Sequence, residues 1–123
     1  MSVIVTDSGF AADDWTGATV EIASDTSPEE LETLTKGADM VRVAFPSFSD
    51  GRGFTLGRLL RLRGYQGRLR AAGHVIAEQY AMARRSGFDE VEINDDLAAR
   101  QPEDQWLSRA NWQQHDYQSR VRG

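Results

Sequence analysis

The sequence predicts an α/β fold, a mainly parallel sheet of about four strands with alternating crossover helices in a single domain. Three observations predict it. Apolar or alternating runs of strand length occur at 18–23, 40–45, 67–73 and 90–93; helical patterns separate them; and glycine, proline or capping residues mark the junctions. Strand and helix thus alternate from about residue 18 to 94, which calls for right-handed crossovers and parallel pairing.

The elements follow in order. "VIVT" at 3–6 is a short strand or edge segment, and "ATVEIA" at 18–23 alternates as a strand does. In "SDTSPEELETL" a helix begins, with Ser27 as N-cap, Pro28 at the first helical position and Glu30 completing a capping box; Gly37 ends it. Glu29, Glu30 and Glu32 suit the positive end of the helix dipole. "MVRVAF" at 40–45 is a strand that Pro46 stops, and 54–63 is a helix with Leu56, Leu59 and Leu60 opposite Arg58 and Arg61. A short strand at 67–73 precedes a helix at 75–87, which Gly87 stops and Phe88 closes by a hydrophobic contact. "EVEI" at 90–93 is the next strand. Beyond Asn94 the chain turns polar, punctuated by Trp106, Trp112 and Tyr117. Each large aromatic gains by burial, at about 25 cal/mol per Å² of apolar area, so residues 95–123 are expected as a tail docked on the 1–94 domain or on a second subunit of a homodimer.

At 123 residues and 40% hydrophobic content the chain suits one core. It has no cysteine, which excludes disulfides, thiolate-held iron–sulfur or haem centres and cysteine nucleophiles. Neither a signal peptide nor a membrane-spanning run of 18 apolar residues is visible, so the expected location is cytoplasmic, with no membrane partner. The net charge of −5 is unevenly spread. Residues 1–50 carry ten acids against Lys36 and Arg42, residues 51–85 carry eight arginines against Glu78, and the remainder carries eight acids against four arginines. Overall acidity and the lack of interleaved aromatics argue against nucleic acid, leaving the basic island as a solvated face or an ion-paired partner surface.

Ligands of parallel α/β sheets collect beyond the C-terminal strand ends. There the sequence places Ser47, Ser49, Asp50 and Arg52 after one strand, Gly73 and His74 after the next, and Asn94, Asp95 and Asp96 after the last. Arg52 in a first helical turn opposes the helix dipole unless a negative group compensates. Two partners suit it: Asp50, in a glycine-shaped turn, or an external phosphate, sulfate or carboxylate cradled by Gly51 and Gly53 amides. The expected anion site comprises Ser49, Asp50, Gly51, Arg52, Gly53 and Asn94. "DGRG" fits neither a Walker loop nor the dinucleotide fingerprint, and no flavin or nicotinamide motif is present, so no cofactor is expected. His74 is the candidate general acid–base, set against an ordinary hydrogen-bonding role. With only His115 as a second histidine, a metal would need Asp50, Asp95 or Asp96, and no metal site is expected. Gln79 falls on an apolar stripe, where its amide is expected to bond a loop backbone, and Glu78 is expected on the outer face near Arg85. Ser47 and Ser49 lack a nucleophile elbow and a triad order.

Residues 40–93 carry a more specific pattern: F-x-D-G-R-G at Phe48 to Gly53, L-R at Leu60 and Arg61, and Y-x-G-x-L-R-A-x-G from Tyr65 to Gly73. Gln79 follows, then R-x-G-F-D from Arg85 to Asp89. This pattern resembles the bacterial DUF934 family, from which the chain departs in having Glu78 where the family usually has Asp and in a shorter N-terminal region. The resemblance implies proteins encoded beside siroheme sulfite reductase and other sulfate-assimilation enzymes, labelled probable oxidoreductases in sulfite reduction. Without cysteine or a recognisable cofactor motif, an accessory role fits better than a self-sufficient reductase. The implied partner is sulfite reductase or another sulfur-assimilation enzyme, contacted through Arg58, Arg61 and Arg68. The alternative is a small-oxyanion-binding enzyme or sensor using Asp50–Gly53 and His74.

Overall fold

A computed structural model describes residues 2–112, whose strands are β1 (Ser2–Thr6), β2 (Gly9–Ala11), β3 (Thr19–Ile22), β4 (Met40–Phe45), β5 (Arg68–Gly73) and β6 (Glu90–Asn94). They form one six-stranded mixed sheet in the order β2-β1-β6-β5-β4-β3. The expected four parallel strands are present as β3 to β6. The expectation was too small by a hairpin. β1 runs antiparallel to β6, and β2 antiparallel to β1, so the edge segment at 3–6 is an interior strand. The three-residue β2 is too short to leave an alternating signature.

The helices are α1 (Leu31–Thr35), α2 (Arg52–Leu62), α3 (Tyr80–Arg85), α4 (Asp95–Arg100) and α5 (Glu103–Leu107). Two of them differ from expectation at their starts. Pro28–Glu30 is a 3-10 turn, and the Ser27 hydroxyl donates to the Glu29 carboxylate rather than capping a backbone amide, so the capping box does not form. The expected 75–87 helix begins with extended Ile76 and a 3-10 turn at Ala77–Gln79, where the Gln79 side-chain oxygen accepts from the Ile76 amide at 3.1 Å. Conversely α2 starts two residues early, at Arg52.

From β3 to β6 each right-handed crossover steps to the next strand in one direction, which puts α1, α2 and α3 on one sheet face. There is consequently no point in this sheet where the strand order reverses to open a crevice. The core lies between these layers: Val41, Val43, Phe45, Leu69, Ala71 and Val91 from the sheet meet Leu31, Leu56, Leu60, Tyr80 and Phe88. α2 approaches the sheet closely through its glycines. A Cβ on Gly53 would lie 2.5 Å from the Phe45 ring, and one on Gly57 would lie 2.5 Å from that of Phe88. Leu97 and Trp106, which is 1% exposed, join the same core, so residues 95–107 pack on the domain. Trp112 lies over the Arg84 guanidinium at 4.8 Å; Tyr117 and His115 fall outside the described residues.

The opposite sheet face is charged. Glu21, Arg42, Arg70 and Glu90 are register partners across β3 to β6. Glu92 accepts from Arg42 (3.0 and 2.7 Å), from Arg70 (3.0 Å) and from Ser2 (3.1 Å). Arg70 also holds Glu90 at 2.6 Å and Asp13 at 3.1 Å. Asp13 and Trp15 belong to residues 12–18, which must run from one sheet edge to the other because β2 and β3 are the outermost strands. Five strand spacings of about 4.8 Å approach the reach of that linker at about 3.4 Å per residue, so it is nearly fully extended across the face. Trp15 covers Arg68 at 5.4 Å.

Candidate functional site

The strand-end rim is built from three loops. In the first, the Asp50 amide donates to the Ser47 carbonyl at 3.1 Å, folding the chain so that Asp50 faces the helix start. Its Oδ1 accepts from the Arg52 amide at 3.1 Å and from Arg52 Nε at 2.9 Å. Oδ2 accepts from Arg52 Nη2 and from the Ser24 hydroxyl, each at 2.8 Å. Arg52, by its hydrogen bonds, and then Ser24 hold the Asp50 carboxyl well below the usual carboxylate range. The internal partner therefore occupies one edge of Arg52, while the arginine side chain stays 61% exposed beside an Asp50 side chain at 11%. A cavity of about 280 Å³ adjoins that outer side, lined by Ser24, Asp25, Thr26, Pro28, Arg52, Thr55 and Leu56. Gly51 occupies the N-cap position without a side-chain cap, and Gly53 lies against Phe45. The Ser49 hydroxyl lies 3.2 Å from that of Ser47.

The second and third loops contribute separately. His74 is tied to the end of β4: its amide donates to the Phe45 carbonyl at 2.9 Å, its Nδ1 lies 3.3 Å from the same oxygen, and its ring meets Phe48 edge-on. Asn94 caps α4, its side-chain oxygen accepting from the Leu97 amide at 2.8 Å. Among the described residues no hydrogen bond joins His74 or Asn94 to Asp50 or Arg52, and no group of three His, Asp or Glu is placed to hold a metal. Of the six residues expected as an anion site, Asp50 and Arg52 bond one another and Ser24 in one cluster, and Asn94 forms a separate helix cap.

Gln79 makes the loop-backbone bond its position calls for, donating to the Phe48 carbonyl at 2.9 Å. Glu78 is exposed, as expected, but it accepts from Gln101 at 3.1 Å, and Arg85 donates instead to the Trp112 carbonyl at 3.2 Å. Gln101 also accepts from the Ala77 amide at 2.8 Å, which stitches the chain after α4 to the start of α3.

Arg58, Arg61 and Arg68 do not form one surface. Arg61 is consumed internally, donating to the carbonyls of Gly87 (2.9 Å), Tyr65 (2.9 Å) and Gly67 (2.8 Å) and pairing with Asp89 at 2.9 Å. Arg68 lies on the charged sheet face with Glu90 at 3.0 Å. Arg58 is exposed on the outer side of α2, beside a groove of about 350 Å³ lined by Gly51, Phe54, Thr55, Met82 and Ser86. The basic island is largely neutralised by folding: Arg52, Arg61, Arg63, Arg68, Arg70 and Arg84 each pair with an acid from outside it.

Sequence reasoning missed Ser24, which is remote in sequence and meets Asp50 only through the β3–β4 pairing. It also missed the sheet-face network. The signal was present as charges at alternate strand positions, Arg68 and Arg70 in β5 against Glu90 and Glu92 in β6, which places each set on one face.

Comparison with known families decides the affiliation. Residues 19–123 match the family model described as a bacterial protein of unknown function, DUF934. The chain belongs to the DUF934 family. No curated protein and no solved structure matches it. The DUF934 match begins at β3, so β1, β2 and the strap carrying Asp13 and Trp15 precede the matched region. Within the match, the pattern residues Arg61, Tyr65, Gly67, Gly87 and Asp89 build one structural joint, in which Asp89 also accepts from the Leu69 amide at 2.8 Å. No helix among the described residues is long and apolar enough to cross a membrane.

Proposed function

We propose that this DUF934 protein is an accessory component of assimilatory sulfite reduction that works by docking on another protein, with no self-sufficient redox centre of its own. The observation that carries this reading is the division of labour among its polar residues. The family-pattern groups with chemical potential, Arg61, Arg70 and Asp89, are held in scaffold bonds, while Phe48, Met82 and Arg58 stay exposed on the helical side. The link to sulfite reduction comes from the family resemblance, and the chain has no cysteine to supply a thiolate ligand. Pull-down with sulfite reductase tests the reading. Association is expected at low salt and is expected to weaken at high salt, as it does for charge-steered complexes. No association at low salt contradicts it.

A second reading rests on the cavity beside Arg52: a small oxyanion held by the outer edge of Arg52 with Ser24 and Thr55 nearby. Asp50 opposes it, since an incoming anion must share the arginine with a carboxylate already bonded to it. Thermal shift with sulfite, sulfate and phosphate separates the readings. A stabilisation present in the wild type and absent in Arg52→Ala supports the oxyanion site; equal responses in both proteins count against it.

A further inference from the structure

Of the eight arginines between residues 51 and 85, Arg58 alone has no hydrogen bond or ion pair among the described residues. An unpaired guanidinium on a solvated helix is unremarkable by itself. The surroundings of Arg58 are what distinguish it. Phe54 and Met82 form an apolar lining between α2 and α3, and Met82 is 53% exposed, an unusual placement for a flexible apolar side chain. The lining also includes Ser86, which is 3% exposed. Phe48, exposed at 39%, has its backbone carbonyl bonded by the side chain of Gln79, which lies about one turn before Met82.

We infer that the α2–α3 groove is a docking site for an acidic, apolar-anchored peptide segment of a partner protein. This rests on the accessory reading above and names the surface that reading requires. The apolar floor takes a leucine- or phenylalanine-like anchor, as helix-binding grooves do, and Met82 adapts to its shape. Arg58 supplies two parallel N–H donors to a carboxylate flanking the anchor. The occupant is acidic because, among the described residues, Arg58 is the only lining side chain with a formal charge. The charged sheet face makes no comparable offer: Arg42 and Arg70 there are already bonded to carboxylates.

The test uses the full chain and a short synthetic amphipathic peptide with leucine on one helical face and glutamate on the other, with a lysine-for-glutamate version as control. Amide chemical shifts followed by NMR are expected to move at residues 51–58 and 82–86 with the acidic peptide and not with the basic one. Arg58→Glu and Met82→Glu change exposed side chains, so both are expected to keep the wild-type melting temperature while binding at least about tenfold more weakly. No shift, shifts elsewhere, or equal shifts with both peptides overturn the inference; so do equal shifts with free glutamate, which mark a small-carboxylate site only. Pull-down with sulfite reductase then separates the two claims. Wild-type and variant proteins associating equally overturn the groove and leave the accessory role standing. Failure of all of them to associate, with the acidic peptide still bound at the groove, removes sulfite reductase as the partner and leaves the groove intact.

Discussion

Arg70 and Arg58 stand on opposite sides of the same sheet and have opposite fates. Arg70, 4% exposed, lies beneath the extended strap and bonds Asp13, Glu90 and Glu92; Arg58 lies on the outer side of α2 with no acid partner among the described residues. Both belong to one basic run in the sequence, so a run of like charge says little about the charge of a surface until the fold has assigned partners. What remains unpaired after that assignment is the informative residue. Among the described residues, Arg42, Arg68 and Arg70 on the sheet face are each paired with a carboxylate, whereas Arg58 on the helical face is left open beside an apolar groove.

The largest expected effect breaks the closed side. Arg70→Met removes the shared partner of Glu90 and Glu92; Arg68 stays on Glu90 and Arg42 on Glu92, so unfolding in denaturant should show a loss of about 3 kcal/mol, the low end of the usual cost of breaking a buried ion pair. Wild-type stability after this change would mean that the network is solvated in practice.

Acid should act on the same face. Arg42 first, with Arg70 and Ser2, lowers the Glu92 carboxyl from 4.5 to about 2, against the smaller opposing effect of burial. A carboxyl whose folded value is depressed contributes stability that is complete above its unfolded value near 4.5 and is lost as pH falls through that value toward about 2. The contribution is on the order of 3 kcal/mol. Glu92→Gln should be less stable than wild type at pH 7 and should lose less between pH 5 and 2, as read from denaturant midpoints. An unchanged acid limb would remove Glu92 from the account.

A moderate effect tests the layer between the two faces. Gly57→Ala gains helix propensity of up to about 1 kcal/mol but presses a Cβ to 2.5 Å of the Phe88 ring, so thermal unfolding should show a net loss of roughly 1 to 2 kcal/mol. Stabilisation instead would show that Phe88 yields freely. The smallest effect belongs to Arg52→Ala. Its ion pair with Asp50 is mostly exposed on the arginine side, and Ser24 still bonds Asp50 afterwards, so the melting temperature should hardly move.

Much of the fold was legible for local reasons. The strands β3 to β6 and α2 announce themselves by periodicity and by the residues that punctuate them, and the Gln79 bond to a loop carbonyl follows from an amide on an apolar stripe. What escaped was set by distant segments. β2 is too short to show a period, and the expected helix at 75–87 opens instead with a 3-10 turn at Ala77–Gln79. The sequence posed Arg52 as a choice between Asp50 and an external anion; folding brings Ser24 from β3's end to orient Asp50, a contact that no local spacing encodes. For Arg58, Arg61 and Arg68 the spacing could not reveal that three nearby cations belong to a helix surface, an internal joint and the far sheet face.

The most direct test of an open arginine against a closed one compares Arg58→Glu with Arg52→Glu on the same helix, measuring affinity for the acidic amphipathic peptide by NMR titration. The account predicts that Arg58→Glu weakens binding at least about tenfold while Arg52→Glu leaves it within about twofold of wild type. Equal losses in both variants, or a loss confined to Arg52→Glu, would contradict it.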